Sequence, residues 1–311
     1  MRIAVFGTGG VGGYFGGRLA KAGEEVHFIA RGEHLQAIQA RGLRVDSIAG
    51  DFVVDPALAS DDPSQFGIVD VVLVAVKTWD VPQAALAMRP LIGDQTFVIP
   101  LENGVEAPEQ LAAVLGVEHV LGGLCQISAF ITGPGHIRHV GIEPFVAFGE
   151  LEARQSQRAE RLLQAFQVAG VKATIPPDIR VAMWDKFLFI ATASGIGALT
   201  RAPAGIYRSL SETRQMLVAA FKEIVALAKA RGVMFPEDAV EKRLAFVDSL
   251  PAGTMASMQR DILEGKPSEL DSQSGAVVRM GAELGVPTPV HAFIYSSLLP
   301  QEMRARGTLT F

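Results

Sequence analysis

The sequence predicts an α/β fold in which a doubly wound, mostly parallel N-terminal sheet is followed by an all-helical C-terminal domain. In the first half of the chain, apolar runs typical of buried strands alternate with helix-like segments. These runs lie at residues 2–6, 26–30, 69–76, 96–100 and 119–124. From residue 178 onward almost every segment has helical spacing, so we expect a boundary at Pro177, with domains at residues 1–177 and 178–311.

One stretch of the first half departs from this alternation. Gly133-Pro134-Gly135 stands among short alternating runs at residues 129–132, 136–140 and 145–149. This pattern predicts antiparallel strands added to the edge of the parallel sheet. A helix over residues 155–169 and a strand at residues 171–175 then lead to Pro176-Pro177, which breaks the chain.

Composition excludes several classes of protein. The chain has 311 residues, a net charge of -5 and no run of basic residues, which argues against a nucleic-acid partner. Cys125 is the only cysteine, so we expect neither a disulfide nor a cysteine metal site, and a cytoplasmic location. No apolar stretch reaches the roughly 18 residues that span a bilayer, and no cleavable signal is evident. The histidines show no metal-ligand spacing, so we expect no metal.

A glycine-rich turn follows the first predicted strand and precedes a helix-like segment. Three of its glycines match a Rossmann-type dinucleotide site, where the turn, the approach to the pyrophosphate and the helix packing each require the absence of a side chain. The alternative is a glycine turn that only shapes the fold. The predicted phosphate-binding residues are Gly7, Thr8, Gly9, Gly10, Val11 and Gly12.

Arg31 follows the second predicted strand, where NAD-preferring sites usually have an acidic residue for the ribose 2′-hydroxyl. The planar guanidinium suits a 2′-phosphate, which predicts NADPH as the cofactor. An exposed loop arginine without a ligand is the alternative interpretation.

Further short motifs occur in a fixed order along the chain. They are Val76-Lys77, Glu102-Asn103-Gly104-Val105, Trp184-Asp185-Lys186, Ala256-Ser257-Met258-Gln259-Arg260-Asp261 and Ser268-Glu269-Leu270-Asp271. Together with the glycine turn and Arg31, this set resembles the ketopantoate reductase family along nearly the whole chain. The resemblance implies NADPH-dependent reduction of 2-dehydropantoate to pantoate, a step of pantothenate biosynthesis, with a helical domain that binds substrate. A homodimer is a further candidate assembly.

Site roles follow from the same resemblance. Lys186 matches the general acid, a role that the chemistry also requires, because hydride addition to a carbonyl leaves negative charge on oxygen. Glu269 matches a catalytic, substrate-binding glutamate and Ser257 a substrate-binding serine. Asn103 matches a residue near both nicotinamide and substrate, and Lys77 is assigned to cofactor positioning. Ordinary structural roles are the alternatives: a lysine at a helix start, a surface carboxylate, a helix serine, an Asn-Gly turn and a salt-bridged lysine.

Two substrate-pocket positions depart from the family pattern. The family commonly has asparagine four residues after the catalytic lysine and often again four residues later, where this chain has Ile190 and Ser194. Glu102 replaces the usual glutamine. Isoleucine cannot hydrogen-bond a hydroxyl or carboxylate, so the pocket must differ.

The sequence therefore predicts reduction of a small 2-oxo acid, with 2-dehydropantoate the first candidate and another acid of similar size the second. An NADPH-binding sensor without catalysis would need neither Lys186 nor Glu269. A two-domain dehydrogenase of hydroxy acids or opines shares the architecture, because fold alone does not determine function.

Overall fold

The computed structural model describes residues 1–310. The chain divides into two compact units. The first comprises residues 1–102 and 107–182, and the second comprises residues 103–106 and the chain from Met183 onward. The short segment 103–106 therefore packs with the helical unit although it lies in the N-terminal half of the sequence.

The strands all belong to the first unit. They are β1 (Arg2–Phe6), β2 (Glu25–Ile29), β3 (Leu43–Ser47), β4 (Phe52–Val54), β5 (Leu58–Ser60), β6 (Val71–Val74), β7 (Phe97–Pro100), β8 (Gly122–Gln126), β9 (Ala129–Gly133), β10 (His136–His139), β11 (Phe145–Gly149) and β12 (Lys172–Thr174). The central sheet is parallel, with the order β5-β2-β1-β6-β7. Because the order reverses direction at β1, the carboxyl end of β1 is the position where such sheets bind ligands.

The helices are α1 (Gly10–Lys21), α2 (Gly32–Arg41), α3 (Val81–Ala87), α4 (Ala107–Leu115), α5 (Gln157–Val168), α6 (Ile179–Thr200), α7 (Ala204–Tyr207), α8 (Ser211–Ala230), α9 (Ala239–Ser249), α10 (Ser257–Leu263), α11 (Ala276–Leu284) and α12 (Pro289–Ala305). A π-helical turn, Asp271–Gly275, precedes α11. Short 3₁₀ turns occupy Pro63–Gln65, Thr78–Asp80, Arg89–Leu91 and Val117–His119. Within residues 1–310, none of the helices combines the length and apolarity that crossing a bilayer requires.

The central sheet buries both of its faces, as a doubly wound fold requires. Successive side chains of a strand point to opposite faces, and β1 shows this alternation. Ile3 and Val5 belong to one core together with Phe15 of α1. Ala4 and Phe6 belong to a second core, which includes residues of α3 and α4. The predicted α/β class with an all-helical C-terminal part is confirmed.

The prediction for residues 119–149 was wrong in one respect. The three runs at residues 129–132, 136–140 and 145–149 do form strands, but these strands do not extend the parallel sheet. β9 and β10 pair antiparallel and join β3 and β4 in a separate sheet of order β4-β3-β10-β9, while β8, β11 and β12 form a third sheet. Residues 119–124 were expected to continue the parallel series, yet only Val120 makes a parallel bridge, to Val98. β3 and β4 had not been predicted, and β3 provides the edge on which β10 pairs.

Helix α6 carries the chain into the second unit, which contains only helices and turns among the described residues. Residues 191–198 of α6 are buried on all sides, which is typical of a helix at the centre of a helical domain. Glu223 of α8 accepts hydrogen bonds from the first backbone amides of α12, at 2.7 Å from Val290 and 3.1 Å from His291. Burial raises the pKa of Glu223.

Candidate functional site

The turn between β1 and α1 is packed so closely that side chains cannot enter it. Gly7 has φ +99°, which favours glycine, and a Cβ there would lie 2.8 Å from the Ala75 carbonyl oxygen. A Cβ on Gly12 would lie 2.2 Å from the Gly7 carbonyl oxygen. Both distances are shorter than van der Waals contact, so these two glycines are required for the turn to form.

Gly9 differs from these two because a Cβ there would have no protein atom within 4 Å. Its backbone, at φ -81° and ψ -160°, has an extended conformation that residues other than glycine also adopt. Gly9 is the N-terminal cap of α1. The first amides of a helix have no partner within the helix and carry partial positive charge. An open, glycine-lined space at such a helix start fits the pyrophosphate of a dinucleotide.

The remaining members of the glycine-rich turn are held by backbone contacts. Thr8 is buried, and its backbone N–H and Oγ1 both donate to the Ile29 carbonyl, at 3.1 Å and 2.9 Å. A Cβ on Gly10 would lie 2.2 Å from the carbonyl oxygen of Ala129, at the start of β9. No local sequence pattern connects the two segments, so this neighbour of the turn is not predictable from the sequence.

Arg31 and Lys77 lie beyond the carboxyl ends of β2 and β6. Arg31 is exposed and is the N-terminal cap of α2. Lys77 is also exposed, and its Nζ lies 5.6 Å from the centre of the Trp79 ring, a cation–π geometry. Both cations belong to the same unit as the glycine-rich turn and are available to negatively charged groups of a ligand.

Glu102, which stands where the family usually has glutamine, is buried at the end of the β7 segment. Its Oε1 accepts a hydrogen bond of 3.1 Å from the backbone N–H of Val76. The side chain thus joins the segments that follow β6 and β7. A glutamine carbonyl oxygen can accept the same bond, which accounts for the exchange.

In the second unit, the Glu269 carboxylate is buried and held by two amides. Asn103 Nδ2 donates to Glu269 Oε2 at 2.8 Å, and Gln273 Nε2 donates to the same oxygen at 3.3 Å. Both bonds go to Oε2, so they hold the carboxylate in one orientation. Gln273 is a site residue that was not predicted, although its position four residues after Glu269 is a usable signal in the sequence.

Neighbours on both sides of Glu269 fix its position along the chain. Ser268 is fully buried, and its N–H and hydroxyl donate to the Glu302 carboxylate of α12. Asp271 accepts from Arg279 at 2.9 Å, and Arg279 also donates to Glu106 at 3.0 Å. The π-helical turn begins immediately after Leu270, and such turns are frequent at functional sites.

Lys186, Ile190 and Ser194 lie one helical turn apart on α6, so they share a face of that helix. Lys186 and Ile190 are half-buried, whereas Ser194 is fully buried and its Oγ has no hydrogen-bond partner among the described residues. A buried hydroxyl without a partner costs free energy unless a ligand or water engages it. Beside Lys186, Asp185 forms an ion pair with Arg243.

Within the described part of the chain, no hydrogen bond connects Ser257 with Lys186 or Glu269. It is exposed at the first position of α10. Gln259 in the same motif is buried, and its Nε2 donates to the Ala202 carbonyl at 2.9 Å. The motif around Ser257 is therefore anchored by its glutamine, and the serine itself faces solvent.

Comparison with known proteins gives consistent matches along the chain. A family model described as ketopantoate reductase PanE/ApbA matches residues 3–153, and the C-terminal model of the same family matches residues 178–302. An uncharacterised oxidoreductase of Bacillus subtilis (strain 168) is 31% identical and is matched over 96% of this chain and 98% of its own length. A 2-dehydropantoate 2-reductase of Nostoc sp. is 29% identical over 99% of this chain and 98% of its own length.

Among solved structures, a PanE/ApbA family ketopantoate reductase from Ralstonia eutropha JMP134 has a TM-score of 0.88 and 32% identity. The match covers 98% of this chain and 100% of that chain. The similarity therefore includes both units and not the dinucleotide-type turn alone.

The contrast between Gly9 and Gly12 leads to a prediction. Gly9→Ala should leave thermal stability nearly unchanged, because its Cβ meets no protein atom, yet weaken dinucleotide binding about tenfold or more by filling the space for the pyrophosphate. Gly12→Ala should instead lower the melting temperature, because its Cβ meets the Gly7 carbonyl. Thermal unfolding and calorimetric titration with NADPH separate the two effects. Unchanged NADPH affinity in a folded Gly9→Ala variant would show that the pyrophosphate does not bind here.

Proposed function

The chain belongs to the ketopantoate reductase family, and on that premise we propose that it is an NADPH-dependent reductase of 2-dehydropantoate. The products are pantoate and NADP⁺. An NADPH-dependent reductase of another small 2-oxo acid is the alternative, because the Ile190 and Ser194 positions depart from the usual pocket.

The hydrogen bond between Asn103 and Glu269 carries the proposal. These residues are 166 positions apart, and each matches a functional position of the family. Their contact holds Oε2 and so fixes the orientation of the Glu269 carboxylate. A carboxylate held in this way can accept a hydrogen bond from a substrate hydroxyl without first losing side-chain freedom, which favours binding.

Lys186 is proposed to act as the general acid. NADPH, when bound, supplies a hydride to the ketone carbon. The resulting negative charge on oxygen is stabilised by a hydrogen bond from the Lys186 ammonium group, which then donates its proton to complete the alcohol. Asn103, held by Glu269, is proposed to orient the reacting groups through its side-chain amide.

The residues of the first unit fit NADPH. The open space at Gly9 accommodates the pyrophosphate at the start of α1, and Arg31 supplies an exposed guanidinium for the 2′-phosphate. A sensor that binds NADPH without catalysis would explain this first set of residues. It would not explain the hydrogen-bonded pair of half-buried Asn103 and buried Glu269 in the second unit, so we favour the enzyme.

Cofactor preference is tested at Arg31. Arg31→Asp should raise the Kd for NADPH by about tenfold or more while changing the Kd for NADH little, because a charged hydrogen bond to phosphate is replaced by repulsion. Arg41→Asp, on the same helix, is the matched control and should leave both values nearly unchanged. Equal affinity of the unmodified protein for both dinucleotides in fluorescence titration would contradict the assignment.

The reaction is tested with a panel of 2-oxo acids, with NADPH oxidation followed by absorbance. We expect 2-dehydropantoate to give the highest kcat/KM.

Lys186→Ala should lower kcat by about 10²–10⁴-fold, the usual contribution of a positioned acid, with little change in NADPH affinity. Loss of NADPH binding with normal turnover of the bound fraction would instead indicate a structural lysine.

Substrate preference is tested at Ile190. An isoleucine beside a substrate hydroxyl leaves that group unpaired, which costs about 1–3 kcal/mol, or roughly tenfold to a hundredfold in kcat/KM. Ile190→Asn should therefore raise the kcat/KM ratio of 2-dehydropantoate over 2-oxoisovalerate, which lacks the hydroxyl, and Ile190→Leu should not. If Ser194 already supplies the bond, Ser194→Ala should lower the same ratio. An unchanged ratio in folded variants of both positions would remove them from the substrate pocket.

A further inference from the structure

His34 is a half-buried histidine that connects three segments of the first unit, and the proposed reaction does not use it. It lies near the start of α2, three residues after Arg31. Its Nε2 lies 2.8 Å from the Thr8 carbonyl oxygen in the glycine-rich turn. Its Nδ1 accepts a hydrogen bond of 3.0 Å from the backbone N–H of Gly135, in the turn between β9 and β10.

These two contacts determine which nitrogen of the ring carries the proton. Because the Gly135 N–H is a donor, Nδ1 must be an unprotonated acceptor, and the ring proton is on Nε2, where it donates to Thr8. Burial lowers the pKa of His34, partly opposed by the bond to Thr8, and this favours the neutral ring. The imidazole therefore makes one directed bond on each side.

We propose that His34 is a positioning residue for the dinucleotide, which orients the Thr8–Gly9 peptide so that the Gly9 amide is presented to the pyrophosphate. The peptide is planar and trans, so its carbonyl and the following N–H point in opposite directions. Holding the Thr8 carbonyl thus fixes the direction of the Gly9 N–H. No acceptor within residues 1–310 takes that N–H, which leaves it for a ligand.

The turn that contains Gly135 is itself held firmly against its neighbours, so it can fix the position of the His34 ring. Gly135 has φ +71°, and a Cβ on it would lie 3.0 Å from the Ala37 Cβ of α2, so the turn packs closely on the helix that carries His34. The Gly135 carbonyl accepts from the Arg44 N–H at 2.9 Å, which connects the same turn to β3. His34 is thus held from the side opposite to Thr8.

This inference rests on the proposed function, since it requires a bound dinucleotide. His34 is proposed to affect the pyrophosphate of the dinucleotide, whereas Arg31 is proposed to bind its 2′-phosphate. The pyrophosphate is common to NADPH and NADH, so loss of the His34 contact should weaken both to the same extent, whereas loss of Arg31 should weaken NADPH alone.

Two isosteric substitutions separate the Thr8 contact from the Gly135 contact. The amide nitrogen of glutamine reaches the position of histidine Nε2, whereas that of asparagine reaches only the position of Nδ1. His34→Gln should keep the Kd for NADPH and NADH within about threefold of the unmodified protein, and His34→Asn and His34→Leu should raise both about tenfold, as expected when one directing hydrogen bond is lost. Calorimetric titration gives the Kd values, and thermal unfolding confirms that each variant is folded.

His119 provides the matched control, because its Nδ1 lies 2.8 Å from the Thr96 carbonyl oxygen in the same unit but outside the glycine-rich turn. His119→Leu should leave both Kd values unchanged. Equal binding by the Gln and Asn variants, or an effect on NADPH alone, would overturn the role of His34 and leave the proposed function intact. An unmodified protein that binds neither dinucleotide would overturn the proposed function and this inference with it. If His34→Leu does not fold, the comparison of Gln with Asn decides.

Discussion

The first unit depends on the close approach of backbone atoms where β1 turns into α1. Gly12 brings α1 so near the Gly7 carbonyl that a methyl group could not be inserted, and Gly16 similarly brings the helix onto Val5 and Phe28. This contact places α1 against the sheet and directs its free amides to the ligand side. The same close packing explains why glycines recur along α1 although glycine is unfavourable within a helix.

Buried carboxylates organise the second unit in a comparable way. Glu223 caps α12, and Glu302 on α12 holds Ser268. Ser268 in turn fixes the start of the segment that contains Glu269. Buried carboxylates of this kind are stable only when they accept several hydrogen bonds, so each one constrains the backbone that supplies its donors. The geometry at Glu269 therefore depends on contacts made by α12 and α8, well beyond its own turn.

The residues that match the family motifs are different from those that depart from the family's substrate-pocket pattern. The motifs that match the family include Lys186, Asn103 and Glu269, to which the proposed reaction assigns protonation and positioning. Ile190 and Ser194 lie on the same face of α6 as Lys186 and depart from the family pattern. In the proposed reaction, a change there would alter which 2-oxo acid is accepted without affecting protonation, because that step is assigned to Lys186.

The sequence by itself determined the alternation of strands and helices in the first unit, the glycine-rich turn and the helix that spaces Lys186, Ile190 and Ser194 by single turns. Each of these depends on neighbours within a few residues, where periodicity and glycine placement are informative. The partners of β10, the bond between Asn103 and Glu269, and the bridge made by His34 were decided only by the tertiary structure. These contacts join segments that are far apart in the chain. An apolar sequence pattern indicates that a residue is buried, but it does not indicate which segment the residue packs against.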